Sequence, residues 1–275
     1  MELKRENGFI NLDNVELTYS KEDIIQTFIY KDKKYFFKII NDKKDIYNEL
    51  IAEELANDFG ISCAHYDIAR RGKEVGVISE DFIKNQKYTN FIEILYAEYL
   101  EDYKNRDTNN LYDIWNALSK KYNNQEVVYK LMNQITDIFI YDLFIGNTDR
   151  HDGNMGILET EDGINIAPIF DNSLIFRNPP NYVDVLKTDE DIERDWHMEL
   201  LKFLSQSSME YQDRIKGKLW VIDDDNIESV INRVEKRIDT KINNKLKEKI
   251  MTFFKIRKTE IDKILNEFNK RKKVR

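Results

Sequence analysis

The chain has 275 residues, 41% hydrophobic, 12% aromatic and 34% charged, with only 9 Gly and 3 Pro; this excludes collagen-like, linker-like and most disordered chains and predicts a folded, core-forming protein. The 43 Lys and Arg against 51 Asp and Glu give a net charge of −8, which argues against the broad phosphate-binding footprint of a non-specific nucleic-acid binder. A single cysteine, Cys63, rules out an internal disulfide and a Cys-rich zinc site, and the absence of a signal-like or membrane-spanning apolar run leads to a cytoplasmic reading with no membrane contact.

In chain order, Ile24 to Tyr30 and Tyr35 to Ile40 are β-branched and aromatic runs around the polar Lys31-Asp32-Lys33-Lys34, which predicts a β-hairpin. Lys38 stands inside the second run. Desolvating that ammonium costs several kcal/mol unless it is paired or faces a polar site; the alternative is an edge-strand lysine facing solvent. From Asp45 to Phe59, apolar residues recur at Ile46, Leu50, Ile51, Leu55 and Phe59, and Gly60 stands where a glycine ends a helix. Val75 to Ser79 reads as a short strand. Strand chemistry gives way to helix chemistry at Glu80 to Gln86, so the expected division is a sheet-rich lobe of residues 1–84 and a larger helical lobe of residues 85–275.

In the second part, Val128, Leu131, Ile135, Ile138 and Phe139 predict a helix from Gln125 to Ile145, broken by Gly146. Met155 to Leu158 and Ile164 to Ala167 flank Glu161-Asp162-Gly163 as a second hairpin, and Pro179-Pro180 marks a loop. Apolar stripes from Ile227 to Ile238 and from Ile250 to Phe268 predict amphipathic helices. The final Lys270 to Arg275 reads as a solvated tail.

The segment Gly146-Asn147-Thr148-Asp149-Arg150-His151-Asp152-Gly153-Asn154 places many polar groups on a loop between rigid elements, where function concentrates. With the hairpin tip near Glu161, Asn154 leaves one end of the first strand and Asp171 emerges from the same end of the second. Their oxygens are hard ligands suited to Mg²⁺, which takes one or two protein oxygens and fills its octahedron with water and phosphate. Asp149, five positions before Asn154, is expected beside that metal rather than on it. A carboxylate to orient an attacking hydroxyl and accept its proton, separate from the metal that neutralises phosphate charge, is the division of labour of phosphoryl transfer.

Asn147-Thr148-Asp149-Arg150-His151-Asp152-Gly153-Asn154, followed by Ala167-Pro168-Ile169-Phe170-Asp171-Asn172-Ser173, resembles the N-x-D-x-H-x-x-N and P-x-[YF]-D-x-S signature of HipA-like kinases, a family related in fold to protein and phosphoinositide kinases. The resemblance implies that Asp149 is the catalytic base and that Asn154 and Asp171 are the Mg²⁺ ligands. A kinase reading also requires a strand lysine on the α/β-phosphates of ATP and a helix glutamate beside it. Lys38 and Glu49 fit, with Glu53 the alternative partner. Backbone groups of Glu80 to Phe82 would meet the adenine edge. The stretch from Asn48 to Ile61 is similar to the N-E-x(6)-L-A-x-x-L-G-[IL] helix of the family. The expected phosphate loop, Thr18 to Asp23, has no glycine, leaving Lys21 to act by charge. The chain resembles the compact members, so contacts made through the extra domain of longer ones are not carried over.

The expectation is therefore an α+β, bilobal, protein-kinase-like fold: a small antiparallel-sheet lobe, a larger helical lobe and ATP between them. The function expected is ATP- and Mg²⁺-dependent transfer of the γ-phosphoryl group to a protein Ser or Thr, with autophosphorylation and an antitoxin-like or regulatory partner as further expectations. A small-molecule kinase of the antibiotic-phosphorylating type and a nucleotide-binding pseudokinase stay open. Cys63 reads as an inert packed thiol, His151 as a structural hydrogen-bonder, and His65 and His197 as surface or packing residues.

Overall fold

The computed structural model describes residues 3–19, 25–40, 42–100, 111–147, 149–176 and 209–272. The phosphate-loop residues from Ser20 to Asp23, the Pro179-Pro180 loop, His197 and the last three residues of the basic tail lie outside them. Seven strands, β1 (Arg5–Glu6), β2 (Phe9–Asn11), β3 (Thr18–Tyr19), β4 (Ile25–Tyr30), β5 (Lys33–Ile39), β6 (Tyr66–Arg71) and β7 (Glu74–Glu80), form one sheet in the order β1-β2-β6-β7-β5-β4-β3. All its pairings are antiparallel except that of β2 with β6. A second sheet is built from β8 (Lys87–Asn90), β9 (Gly156–Thr160) and β10 (Gly163–Ile166), in the order β10-β9-β8.

The described α-helices are α1 (Lys43–Phe59), α2 (Phe91–Tyr99), α3 (Leu111–Lys121), α4 (Gln125–Ile145), α5 (Met209–Lys218), α6 (Asp224–Ile238) and α7 (Asn244–Lys272), with short 3-10 turns at Asp152–Asn154 and Leu219–Ile222. The fold class is the α+β arrangement expected. None of these helices is long and apolar enough to cross a membrane.

The first hairpin is tighter than its composition suggests. β5 begins at Lys33, and only Lys31 and Asp32 form the turn, with φ of 50° and 60°. Positive φ at both central residues gives a turn whose twist matches the strands it joins. Lys33 and Lys34 can extend the strand because Glu80 and Asp81 face them at 2.8 and 3.5 Å. β5 is an interior strand, with Lys38 opposite Ile25 on one side and Val77 on the other, so the solvent-facing edge reading does not hold. The two-residue period of a strand sends Phe37 to one face and Phe36 and Lys38 to the other. Phe37 joins Leu12, Leu17, Phe28, Ala69 and Ile78 in a core beneath the N-terminal strands, while Phe36 and Lys38 line a cleft.

Gly76 of β7 lies where an added Cβ would sit 2.0 Å from the Lys38 carbonyl oxygen. Backbone cannot yield there as a flexible side chain would. Gly76→Ala is expected to cost about 1–3 kcal/mol of stability by overpacking, measured as a lower midpoint in urea.

Asp42 caps α1 by accepting from the Lys44 amide, and Gly60, at φ 86°, ends it. The buried face of α1 carries Ile46, Leu50, Ile51, Leu55 and Phe59 together with two acids, Glu49 and Glu53. α4 starts at the Asn124 cap and is buried on every side from Ile138 to Ile145. Gly146, at φ 64°, ends it against Phe253 and Arg257 of α7. The apolar stripes of α6 and α7 close the main core, and α7 continues through Lys272, so the basic run begins on a helix.

Candidate active site

The cleft of about 400 Å³ is bounded by β4, β5 and β7, the segment from Glu80 to Ile83, the start of the second sheet, and the Phe170-Asp171 turn. Lys38, Glu80, Phe82, Asn154 and Asp171 all line it. Phe82 packs against Tyr88 and Phe170 at centroid distances of 6.2 and 5.9 Å, giving an aromatic wall where the chain leaves β7. Ile25, Phe36, Ala64 and Val77 add apolar surface to the cleft wall.

Lys38 is the centre of the polar end. Its Nζ donates to Glu49 Oε1 at 3.2 Å, to Asp171 Oδ1 at 2.5 Å and to Ser173 Oγ at 3.4 Å. Burial works to lower its pKa, and the carboxylates of Glu49 and Asp171 outweigh it, so the ammonium is held above its ordinary range. Glu49 is fully buried, and burial pushes its carboxyl up against the opposing pull of Lys38. Its second oxygen accepts from the Asn172 amide at 2.8 Å. Glu53 does not compete for Lys38: its oxygens take His65 Nδ1 at 2.6 Å and the Tyr66 amide at 3.0 Å.

The loop after α4 is folded by its own side chains. Asn147, fully buried, donates from Nδ2 to Asp142 at 3.0 Å, and its Oδ1 accepts from the Asp149 amide at 3.0 Å. His151 is exposed and caps the following turn by accepting from Gly153 N, the structural role expected of it. Asn154 donates from Nδ2 to the Asp149 carbonyl at 3.1 Å, which fixes its amide oxygen as the remaining acceptor. β9 and β10 pair from Ile157 with Ile166 to Thr160 with Gly163, so Asn154 and Asp171 do emerge at one end of the hairpin. Asp149 is not on the cleft wall; it is half-buried and tied to that wall through Asn154.

Asp171 adopts φ 58°, a left-handed conformation that a short polar side chain tolerates at some cost and that functional sites often store. Its amide donates to the Tyr66 hydroxyl at 3.1 Å. Arg150 holds the residues on either side of it. Nη1 donates to the Phe170 carbonyl at 2.7 Å and Nη2 to Asn172 Oδ1 at 2.5 Å, while Nε and Nη2 engage both oxygens of Asp142 at 3.0 and 3.2 Å. A further link crosses the site where Ala64 N donates to the Ile169 carbonyl and Ile169 N to that of Ser62, both at 2.9 Å. Cys63 between them is a packed thiol pushed up by burial.

Among the described residues no group of three or more His, Cys, Asp or Glu is arranged to hold a metal. The donor set at the cleft, one carboxylate and one amide oxygen, fits a hard cation completed by phosphate and water and fits a soft metal poorly.

Residues 15–242 match the family model described as HipA-like C-terminal domain. The serine/threonine-protein kinase CtkA of Helicobacter pylori (strain J99) is 26% identical over 171 residues, covering 61% of this chain and 51% of that protein, so the alignment spans about half the length of the curated relative. The crystal structure of a Helicobacter pylori proinflammatory kinase CtkA superposes with a TM-score of 0.64 at 20% identity, over 95% of this chain and 98% of that one. A likeness of that size establishes a shared fold. HipA of Shewanella oneidensis MR-1, solved with HipB and operator DNA, aligns over 97% of this chain and 67% of its own at 15% identity and a TM-score of 0.46.

Proposed function

The chain belongs to the HipA-like C-terminal domain family, and from that premise we propose that it is a kinase that transfers the γ-phosphoryl group of ATP to a protein Ser or Thr hydroxyl. The observation that carries the reading is the bonding of one ammonium, Lys38, to both Glu49 and Asp171 in a cleft that also presents Asn154. ATP brings phosphates that can take over part of the Lys38 ammonium's attention, with Glu49 keeping the side chain aimed. Backbone groups from Glu80 to Phe82 receive the adenine against the aromatic wall. Asn154 and Asp171 hold magnesium, which supplies neutralisation of charge on the β- and γ-phosphates. Asp149 orients the substrate hydroxyl and accepts its proton as that oxygen bonds to the γ-phosphorus and the bond from phosphorus to the β,γ-bridging oxygen breaks, releasing ADP.

Incubating the full chain with γ-labelled ATP, Mg²⁺ and a protein lysate is expected to label Ser or Thr residues, of the chain itself or of a lysate protein. Lys38→Met is expected to reduce labelling by about 100-fold or more, since the phosphates lose an orienting charge. Binding of Mg-ATP with no transfer to any acceptor would overturn the reading in favour of a nucleotide-binding module. Transfer only to aminoglycosides or other small hydroxyl compounds would move it to the small-molecule class.

A further inference from the structure

The outward face of α1 is fastened to α6 by an ion network. Glu54 and Asp58 stand one turn apart on α1, and Arg233 and Arg237 stand one turn apart on α6, so the two pairs face each other as short ladders. Arg233 Nε donates to Glu54 Oε2 at 2.9 Å and its Nη2 to Asp58 Oδ2 at 2.6 Å. Arg237 Nη1 donates to Glu54 Oε1 at 3.0 Å, and its Nη2 lies 3.0 Å from Glu53 Oε2. Asn226 adds a bond to Asp58 at 3.1 Å, and Lys218 of α5 donates to the Phe59 carbonyl at the last turn of α1.

Ordinary surface ion pairs contribute little, and this network would be unremarked if it ended at the helix surface. It does not end there. Glu53 Oε2 also accepts from Tyr66 N, and the Tyr66 hydroxyl accepts from Asp171 N, so unbroken contacts run from Arg237 to the Asp171 backbone. Glu53 lies one turn beyond Glu49 on the same helix. Its carboxyl is kept low: burial raises it, and His65 and Arg237 outweigh burial.

We propose that Arg233 and Arg237 are positioning residues that hold α1 against the helical part of the molecule, so that Glu49 stays engaged with Lys38 and Tyr66 keeps Asp171 at the cleft. The proposal rests on the phosphoryl-transfer reading for its catalytic half. On this view the engagement of Lys38 by Glu49 is set by α6 and does not wait for a ligand.

The test compares the full chain with Arg237→Met and Arg237→Lys by two readouts. Amide exchange over residues 43–59 needs no activity; steady-state transfer, normalised to folded protein, gives kcat and the KM for ATP. Arg237→Met is expected to speed exchange in α1, to raise the ATP KM and to lower kcat/KM by roughly 10- to 100-fold, the size of a small misplacement at a distance. Arg237→Lys, which keeps the charge and loses the fork, is expected to fall between. Unchanged exchange over 43–59 overturns the tether whatever the activity. Faster exchange with unchanged kcat and KM per folded molecule overturns the positioning role and leaves an ordinary structural network. A wild-type chain that transfers nothing sinks the kinase reading instead, and the exchange result then decides the tether by itself.

Discussion

Asp149→Asn is expected to leave Mg-ATP binding in place and to lower phosphoryl transfer by about 1000-fold, within the range a positioned general base contributes. The separation follows from where the residue sits. Asp149 is outside the set of residues that wall the cleft, and its backbone is fixed independently of its carboxylate: the amide donates to Asn147, and the carbonyl accepts from Asn154 and His151. Asparagine keeps the volume and one oxygen, so the loop and the Asn154 amide stay as they are. What is lost is the negative charge and with it the ability to take a proton. Asp171→Ala should behave differently, because Asp171 is bonded to Lys38 and lines the cleft; both nucleotide binding and transfer are expected to fall. Calorimetry with Mg-ATP beside a labelled-phosphate assay reads the two effects separately. Transfer at the wild-type rate by Asp149→Asn would remove the residue from its role.

What the sequence made legible was local. The apolar period of α1 and α4, each closed by a glycine in the left-handed region, is written within a single helix, and so are the spacing from Asp149 to Asn154 and the hairpin that brings Asp171 back. β6 was not legible, because Tyr66 to Arg71 carries three charged residues and becomes a strand only by pairing with β7 and, in parallel, with β2. The short strands β1 to β3 are too brief to show a period at all. The supports of the site were also out of reach: Tyr66 meets Asp171 across 105 residues and Glu49 meets Asn172 across 123. One clue was present. Asp142 is the lone acid in the otherwise apolar run Ile138-Phe139-Ile140-Tyr141-Asp142-Leu143-Phe144-Ile145, and a charge there requires a buried partner.

That partner is Arg150, and its replacement by methionine is expected to destabilise the fold by about 3–5 kcal/mol, the usual result of removing one side of a buried pair. Both side chains of the pair are 0% exposed. Burial opposes the charge on the guanidinium, and Asp142 outweighs it and holds the pKa up. Without Arg150 the Asp142 carboxylate is left with the bond from Asn147 Nδ2, and the Phe170 carbonyl and Asn172 amide oxygen lose their donor. Removing both charges in Asp142→Leu/Arg150→Met should cost less than the sum of the single changes, since no orphaned ion is left; a double-mutant cycle on urea midpoints measures the difference. Arg150 also joins the Asp149 loop to the turn that carries Asp171. The double variant should therefore recover stability without recovering transfer. Recovery of both would mean that the pair serves the core alone and that the turn carrying Asp171 is held by Tyr66 and Glu49.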